Sequence, residues 1–230
     1  MTLSPSDVEA FYDRFGRKLD TQAFYANPAL DDLRAHALFG EVSNVFEFGC
    51  GTGQLAALLL SHDLPTGASY VGCDVSRTMV ELAKKKLVDY RDRAQVIRTD
   101  GTVHFPIPDH SVDRIVATYV LDLLSEGDTE SFFLEAYRKL NAGGKVCLVS
   151  LTEGVNRLSH LVTAIWTWVF NLKASLVGGC RPVRLERHLD PRLWTLEYRN
   201  VVVAFGVPSE ILIATKRRKR VVRPNGSSTD

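Results

Sequence analysis

The sequence predicts an α/β fold: a mostly parallel sheet with an antiparallel last strand and helices on both faces. Three observations carry this. Short β-branched and aromatic runs alternate with amphipathic helical stretches from residue 45 to 151. The first run, Val45-Phe46-Glu47-Phe48, enters a turn with glycines at 49, 51 and 53 that opens a leucine- and alanine-rich helix. The chain closes with two successive strand-like runs, Trp194 to Phe205 and Glu210 to Thr215, joined by Gly206-Val207-Pro208-Ser209.

At 230 residues and 45% hydrophobic content, the chain is long enough for one full α/β domain with a substantial core. Its formal net charge is +1. The stretch from Lys216 to Asp230 contributes +5 and leaves the rest near −4, which excludes a basic nucleic-acid-binding body on composition. The N-terminus lacks the charged and apolar regions of a signal peptide. Cys50, Cys73, Cys147 and Cys180 are scattered, and the first three fall in or beside inner strands, so free buried thiols in a reducing, cytoplasmic compartment are expected. No Cys-x-x-Cys or His-x-x-x-His spacing points to a metal.

Two helices precede the first strand. Ser4-Pro5-x-Asp7 starts one that runs to about Arg14, and Asn27-Pro28 starts another that carries Leu30, Leu33 and Ala37 to a stop at Gly40. After the glycine turn, Tyr70 to Asp74 forms a second strand ending in a carboxylate about 20 residues further on, where nucleotide folds place the acid that meets ribose hydroxyls. Ser76 caps the next helix, whose Met79, Val80, Ala83 and Leu87 face inward. Gln95 to Arg98 makes the third strand, ahead of the turn-forming Asp100-Gly101 pair. Asp113 to Thr118 makes the fourth, followed by Tyr119-Val120-Leu121-Asp122. Asp128 caps a helix that Asn141-Ala142-Gly143-Gly144 stops, and Lys145 to Leu151 is the fifth strand. A further helix from Asn156 to Leu176 interrupts the alternation before the closing strands, and its apolar run is too short to span a bilayer, which needs about 20 residues.

A nucleotide-type ligand is the first reading of the glycine turn. The dinucleotide fingerprint needs glycine at its sixth position, where this chain has Gln54; that argues against a nicotinamide-dependent oxidoreductase. Glu47 precedes the first glycine by two residues and suits a ligand with an ammonium or sulfonium group. In this pattern, an acid, any residue, then Gly-x-Gly-x-Gly, the chain resembles the class I S-adenosylmethionine-dependent methyltransferases. The overall layout is similar to that of the quinone-biosynthesis and related small-molecule or phospholipid enzymes.

The resemblance covers roughly residues 45 to 216. It implies a Rossmann-like seven-stranded sheet over 45–216, a helical insert at 152–193, an N-terminal helical cap over 1–44 and a basic, disordered tail over 217–230. It implies S-adenosylmethionine as cofactor, held by Glu47, Gly49, Cys50, Gly51, Gly53, Asp74, Val75, Asp100, Gly101 and Thr118, with Asp74 on the ribose hydroxyls and Asp100 on the adenine amino group. Val75 and Met79 serve adenine contact or core packing equally well, and Tyr12 and Tyr25 serve as lid residues or as packing.

The expected activity is methyl transfer by in-line displacement to a small, apolar or lipid-like acceptor. A phospholipid N-methyltransferase and a cofactor-binding protein without turnover are the alternatives. Tyr119-Val120-Leu121-Asp122 lacks the Asn/Asp-Pro-Pro-aromatic motif of the amino-directed nucleic-acid enzymes, so no nucleic-acid partner is expected. Catalytic residues stay unassigned: Tyr119, Asp122 and His160 are candidates for a general base, and spacing forces none of them into the role. The Asn156–Leu176 helix reads as the roof of the acceptor pocket, with Trp166 and Trp168 adding bulk; an interfacial membrane helix, with peripheral membrane contact, and a plain core helix compete.

Overall fold

The computed structural model describes residues 9–10, 13, 23–155, 157–172 and 180–218. Seven strands form one sheet: β1 (Asn44–Phe48), β2 (Ser69–Asp74), β3 (Ala94–Arg98), β4 (Val112–Thr118), β5 (Leu140–Leu151), β6 (Trp194–Ala204) and β7 (Val207–Lys216). Their order is β3-β2-β1-β4-β5-β7-β6. The β1, β2, β3, β4 and β5 pairings are parallel, and β7 runs antiparallel to both β5 and β6. The carboxyl ends of β1 to β5 therefore share one edge, and the β6–β7 turn at Phe205-Gly206 returns to it.

Alternation along β1 sorts the core into two layers. Val45 joins Tyr70, Val116, Cys147, Val149 and Ile213 on one face, against α1 (Ala23–His36), α2 (Gln54–Leu58) and α3 (Arg77–Lys86). Phe46 and Phe48 join Cys73, Ile115 and Leu148 on the other, against α4 (Glu126–Lys139) and the chain around Leu185. An aromatic stack of Phe46, Phe105 and Phe132, with ring centroids 4.9 and 5.4 Å apart, fills the centre of that second layer.

Several boundaries differ from the sequence reading for local reasons. The helix expected from Asn27-Pro28 begins at Ala23 and encloses Pro28, which leaves one first-turn carbonyl without its usual partner while Leu30, Leu33 and Ala37 keep the buried face. After α2, the chain widens to π spacing over Leu59–Asp63, and Leu64 N–H reaches Leu59 O at 2.8 Å. The cap of α4 is Ser125, with Asp128 closing the box from the third helical position: Ser125 Oγ accepts from Asp128 N at 3.1 Å. Strand β7 takes in Val207 and Pro208, leaving a two-residue hairpin turn; Pro208 lies beyond the last β5 pairing, Leu151 with Ser209, so its missing N–H costs no bond to β5.

Both ends of the domain are tied down. Arg114 of β4 is buried and donates Nε to Ala37 O (2.8 Å) and Nη2 to Leu38 O (3.2 Å), capping the C-terminal end of α1. Lys216, the last residue of the expected domain, is buried and donates to Leu140 O at 2.6 Å over the Tyr137 ring. Arg217 N–H bonds Leu193 O at 2.8 Å, so the ordered chain continues past the expected tail boundary. The basic run from 219 onward and the first helix start at Ser4-Pro5 lie outside the described residues. Of that first helix, Glu9, Ala10 and Asp13 are described, and they are helical. No described helix is long and apolar enough to cross a membrane. Among the described residues, no group of three or more His, Cys, Asp or Glu is placed to hold a metal ion.

Arg114→Met is expected to lower stability by about 1.5–3 kcal/mol, because two helix-end carbonyls lose a charged donor and stay buried. Thermal unfolding of the variant checks this. A melting temperature equal to that of the wild type would show that the cap contributes nothing.

Candidate active site

The glycine turn after β1 is built by backbone. The N–H groups of Gly49 and Cys50 both donate to Cys73 O at 2.9 Å, so the turn hangs from the end of β2. Asp74 completes the frame: Oδ2 accepts from Gly51 N and Oδ1 from Ser76 N, each at 2.9 Å. Two of the roughly four lone-pair positions of a carboxylate are thereby used, and the others remain for ligand hydroxyls. Burial raises the Asp74 pKa, and backbone bonds from Ser76, Gly51 and Val75 oppose the shift.

Two glycines of the turn have distinct duties. Gly53 (φ +75°) lies so near Ala83 of α3 that an added Cβ would stand 3.1 Å from the Ala83 Cα, so it sets the approach of α2 and α3. Gly51 (φ +52°) faces open space, with nothing within 4 Å of such a Cβ. Open space over a turn, beside a carboxylate with acceptor capacity left, is what a ribose-bearing ligand requires.

Glu47 occupies a different place from the one its motif position suggests. It is fully buried beneath the turn, where it accepts a hydrogen bond from Tyr70 Oη at 2.6 Å. Burial pushes its pKa up to about 8; the Tyr70 hydroxyl opposes the shift and the nearby Asp74 charge adds to it. At neutral pH it is mostly a neutral acid supporting the turn from inside. Cys50 is buried with its thiol pKa raised by burial, and Cys73 points into the opposite core layer.

The remaining predicted cofactor residues lie along the same edge. Val75 is half-buried in the β2–α3 connection, whereas Met79 is fully buried and belongs to the core. Asp100 is exposed and takes both Thr102 donors, N at 3.0 Å and Oγ1 at 2.6 Å, on Oδ1, so turn chemistry organises it in this state; Gly101 follows at φ +82°. Thr118 ends β4, half-buried. From the N-terminal segment, Asp13 Oδ1 accepts from Ser76 Oγ (2.5 Å) and Thr78 N (3.1 Å), and Glu9 pairs with Arg98 at 2.5 Å. That segment therefore closes against the N-terminus of α3, beside Asp74. Tyr12 lies outside the described residues; Tyr25 stands in α1, in a stretch whose side chains are not described.

Tyr119 and Asp122 gather beyond β4, while His160 does not join them. Tyr119 adopts φ +55°, a left-handed conformation that costs an aromatic residue strain, with N–H on Val149 O (2.8 Å) and its hydroxyl 3.0 Å from Ser209 Oγ. Asp122 is fully buried, and among the described residues its carboxylate makes no hydrogen bond of full geometry. Burial pushes its pKa up to about 7, and the Asp122 and Leu151 backbone amides, the Cys180 thiol and Arg181 oppose the shift. His160 is exposed on α5 (Arg157–Leu172).

Beside this cluster lies a small dent of about 10 Å³, lined by Leu151, Val162, Pro182, Val207 and Pro208 and by the hydroxyl-bearing Thr152 and Thr163. Helix α5 thus covers the end of the β5–β7 pair, but through Val162 and Thr163. Trp168 is 63% exposed and turns away, and the Trp166 side chain is not described. Ser209, Ser150 and Arg181 carried no sequence signal. Antiparallel β7 and the segment 180–183 bring them in, through Arg181 N to Asp122 O (3.0 Å) and Val183 N to Leu151 O (2.8 Å).

Residues 45–144 match a family model described as a methyltransferase domain. The match covers under half of the chain and agrees with its resemblance to the class I S-adenosylmethionine-dependent methyltransferases. An uncharacterised methyltransferase of Bacillus mycoides is 30% identical over 135 residues, 59% of each chain. A tRNA N(3)-methylcytidine methyltransferase of Drosophila melanogaster is 27% identical over 149 residues, 60% of this chain and 46% of that one. The chain thus spans about half the length of these curated relatives. Among solved structures, geranyl diphosphate C-methyltransferase from Streptomyces coelicolor, in complex with Mg2+, geranyl diphosphate and S-adenosyl-L-homocysteine, superposes with a TM-score of 0.68 at 12% identity. The superposition covers 93% of this chain and 97% of that one, and it shows the shared fold.

S-adenosylmethionine is the cofactor that this resemblance implies. The open space over Gly51 and the acceptor capacity left on Asp74 fit it. Asp74→Ala is expected to weaken S-adenosylhomocysteine binding by about 1–3 kcal/mol and also to lower the melting temperature, since Gly51 and Ser76 lose their acceptor. Calorimetric titration and thermal unfolding read the two effects; unchanged affinity would remove Asp74 from the binding set.

Glu47 has a pH signature. Its carboxyl titrates near 4.5 when unfolded and at about 8 when folded, so its contribution to stability is full below about 4.5 and is lost as the pH rises through about 8. Glu47→Gln keeps an acceptor for Tyr70 but cannot ionise. Melting temperatures from pH 5 to 9 should fall less steeply for this variant and cross above the wild type near pH 8; parallel curves would contradict the assignment.

Proposed function

We propose that the chain transfers a methyl group from S-adenosylmethionine to a small, largely apolar acceptor that approaches the sheet edge beneath α5. The observation that carries this reading is the placement of two sites on one sheet edge: the glycine turn and Asp74 at the ends of β1 and β2, and an uncharged dent at the ends of β5 and β7. Strand β4 separates them, with neighbouring strands about 4.8 Å apart. Its end, Thr118-Tyr119, is where an acceptor approaching from the dent meets a ligand on the turn.

When bound, the cofactor supplies an electrophilic methyl group on a sulfonium. The chain's own work is to bind and align. Asp74 and the open turn at Gly51 hold the nucleoside end, and Thr118 and Tyr119 limit the approach from the acceptor side. Leu151, Val162 and Pro208 exclude water from the path. Alignment of this kind can supply on the order of 7–11 kcal/mol of barrier reduction.

Mass spectrometry of a metabolite and lipid extract, before and after incubation with the protein and methyl-labelled donor, tests the reading. A parallel incubation with tRNA tests the acceptor class suggested by the Drosophila relative. Label in a small apolar product is expected, and label in tRNA alone would reassign the acceptor. Val162→Phe, which fills the dent, should lower methyl incorporation several-fold while S-adenosylhomocysteine affinity by calorimetry stays at the wild-type value. Joint loss of both would make α5 a structural helix.

A further inference from the structure

The glycine turn is open at one point and closed at another. Nothing lies within 4 Å of the place where a Cβ on Gly51 would stand. A Cβ on Gly49, by contrast, would overlap Val120 Cγ2 and stand 3.2 Å from Cγ1. The absence of a side chain at Gly49 (φ +73°) therefore lets Val120 rest directly on the turn. Val120 belongs to the segment just after β4, and β4 lies beside β1 in the sheet. A side chain from the end of β4 thus closes one side of the turn that follows β1.

The backbone on both sides of Val120 is held. Tyr119, immediately before it, takes the left-handed φ of +55° at the point where β4 stops. Such strain persists only where the surroundings over-determine it, and here β5 and β7 do so. Tyr119 N–H donates to Val149 O at 2.8 Å, and its hydroxyl lies 3.0 Å from Ser209 Oγ. Immediately after, Leu121 is fully buried and Leu123 N–H donates to Val120 O at 3.0 Å. Val120 packs on the second core layer yet is only half-buried, so part of it remains at the sheet edge. Its position is fixed by backbone contacts, which makes it a wall of set width.

We propose that Val120 is a specificity-determining residue for the donor: it bounds the β4 side of the cofactor site, admitting a methyl group on the sulfonium and excluding a longer alkyl group. The inference rests on the methyltransferase reading above and names the residue that sets which group can be carried. In that reading Asp74, at the end of β2, takes the ribose hydroxyls, and the adenine lies toward Asp100 beyond β3. The sulfonium end is left to run past the open Gly51 toward β1 and β4, where Val120 covers Gly49. A pocket of fixed shape discriminates one methylene by about 10- to 200-fold. The isopropyl group of Val120, clamped between the Tyr119 kink and the buried Leu121, supplies a fixed shape of this kind.

Calorimetric titration of the full chain with S-adenosylhomocysteine, S-adenosylmethionine and S-adenosylethionine tests this. The first carries no transferable group and reports that the site is formed; the other two differ by one methylene. The wild type is expected to bind S-adenosylmethionine at least about tenfold tighter than S-adenosylethionine. Val120→Ala should shrink that ratio to within about threefold, and Val120→Ile should widen it beyond the wild-type value. Should Val120→Ala fail to bind S-adenosylhomocysteine, Val120→Ile carries the comparison. A residue that only packs on Gly49 would shift all three affinities together and leave the methyl-to-ethyl ratio unchanged. That result, or equal affinity for the two alkylated ligands in the wild type, would overturn the proposal. Failure of the wild type to bind S-adenosylhomocysteine would instead sink the methyltransferase reading on which it rests.

Discussion

The Asp74 carboxylate, held by the Gly51 and Ser76 amides, is the interaction on which the rest of the site depends. One oxygen fixes the turn that follows β1, and the other fixes the start of α3. The two parallel strands are thereby joined at the edge where ligand must enter. Without that bridge the positive-φ turn would lose its carboxylate anchor, and α2 and α3 would lose the geometry that lets Gly53 approach Ala83. A single carboxylate therefore holds the fold at the place where the proposed ligand would bind, which is why its substitution is expected to register in both stability and affinity.

Negative charge is concentrated around this bridge, and burial manages it. Glu47 sits one layer below Asp74 and, with its pKa near 8, remains mostly neutral; Tyr70 gives the acid a partner. A charged Glu47 would repel the Asp74 carboxylate across a low-dielectric interior. Asp122 follows another course. It too is fully buried, with the Leu151 amide, the Cys180 thiol and Arg181 beside its carboxyl and no ion pair closed among the described residues. The first arrangement is a satisfied structural pair; in the second, burial holds the acid at a pKa of about 7.

The two halves of the site also differ in construction. The cofactor half comes from β1, β2 and the segments just after them, so its residues are close in sequence. The acceptor half needs β7 to reverse direction and insert beside β5, which places Ser209 opposite Leu151 and Glu210 opposite Ser150. Buried Glu210 then accepts from Leu185 N at 2.8 Å and from Arg199 Nε at 2.6 Å, anchoring the chain after α5 to both closing strands. The proposed acceptor side thus depends on the packing of the C-terminal third.

The sequence by itself determined the α/β class, the glycine turn, the strand-end position of Asp74, the Ser76 cap and the closing antiparallel pair. Each is local: strand alternation, positive-φ demand at glycine and capping chemistry act within a few residues. Only the tertiary structure decided which side chains face what. It buried Glu47 under the turn, left Asp100 with Thr102, turned Trp168 outward in favour of Val162 and Thr163, left His160 exposed, and buried Lys216 at the end of β7. Those outcomes depend on which face of an element meets the sheet and on the crossover order β5-β7-β6. Such choices are made by burial summed over the whole core, and no short window of residues contains them.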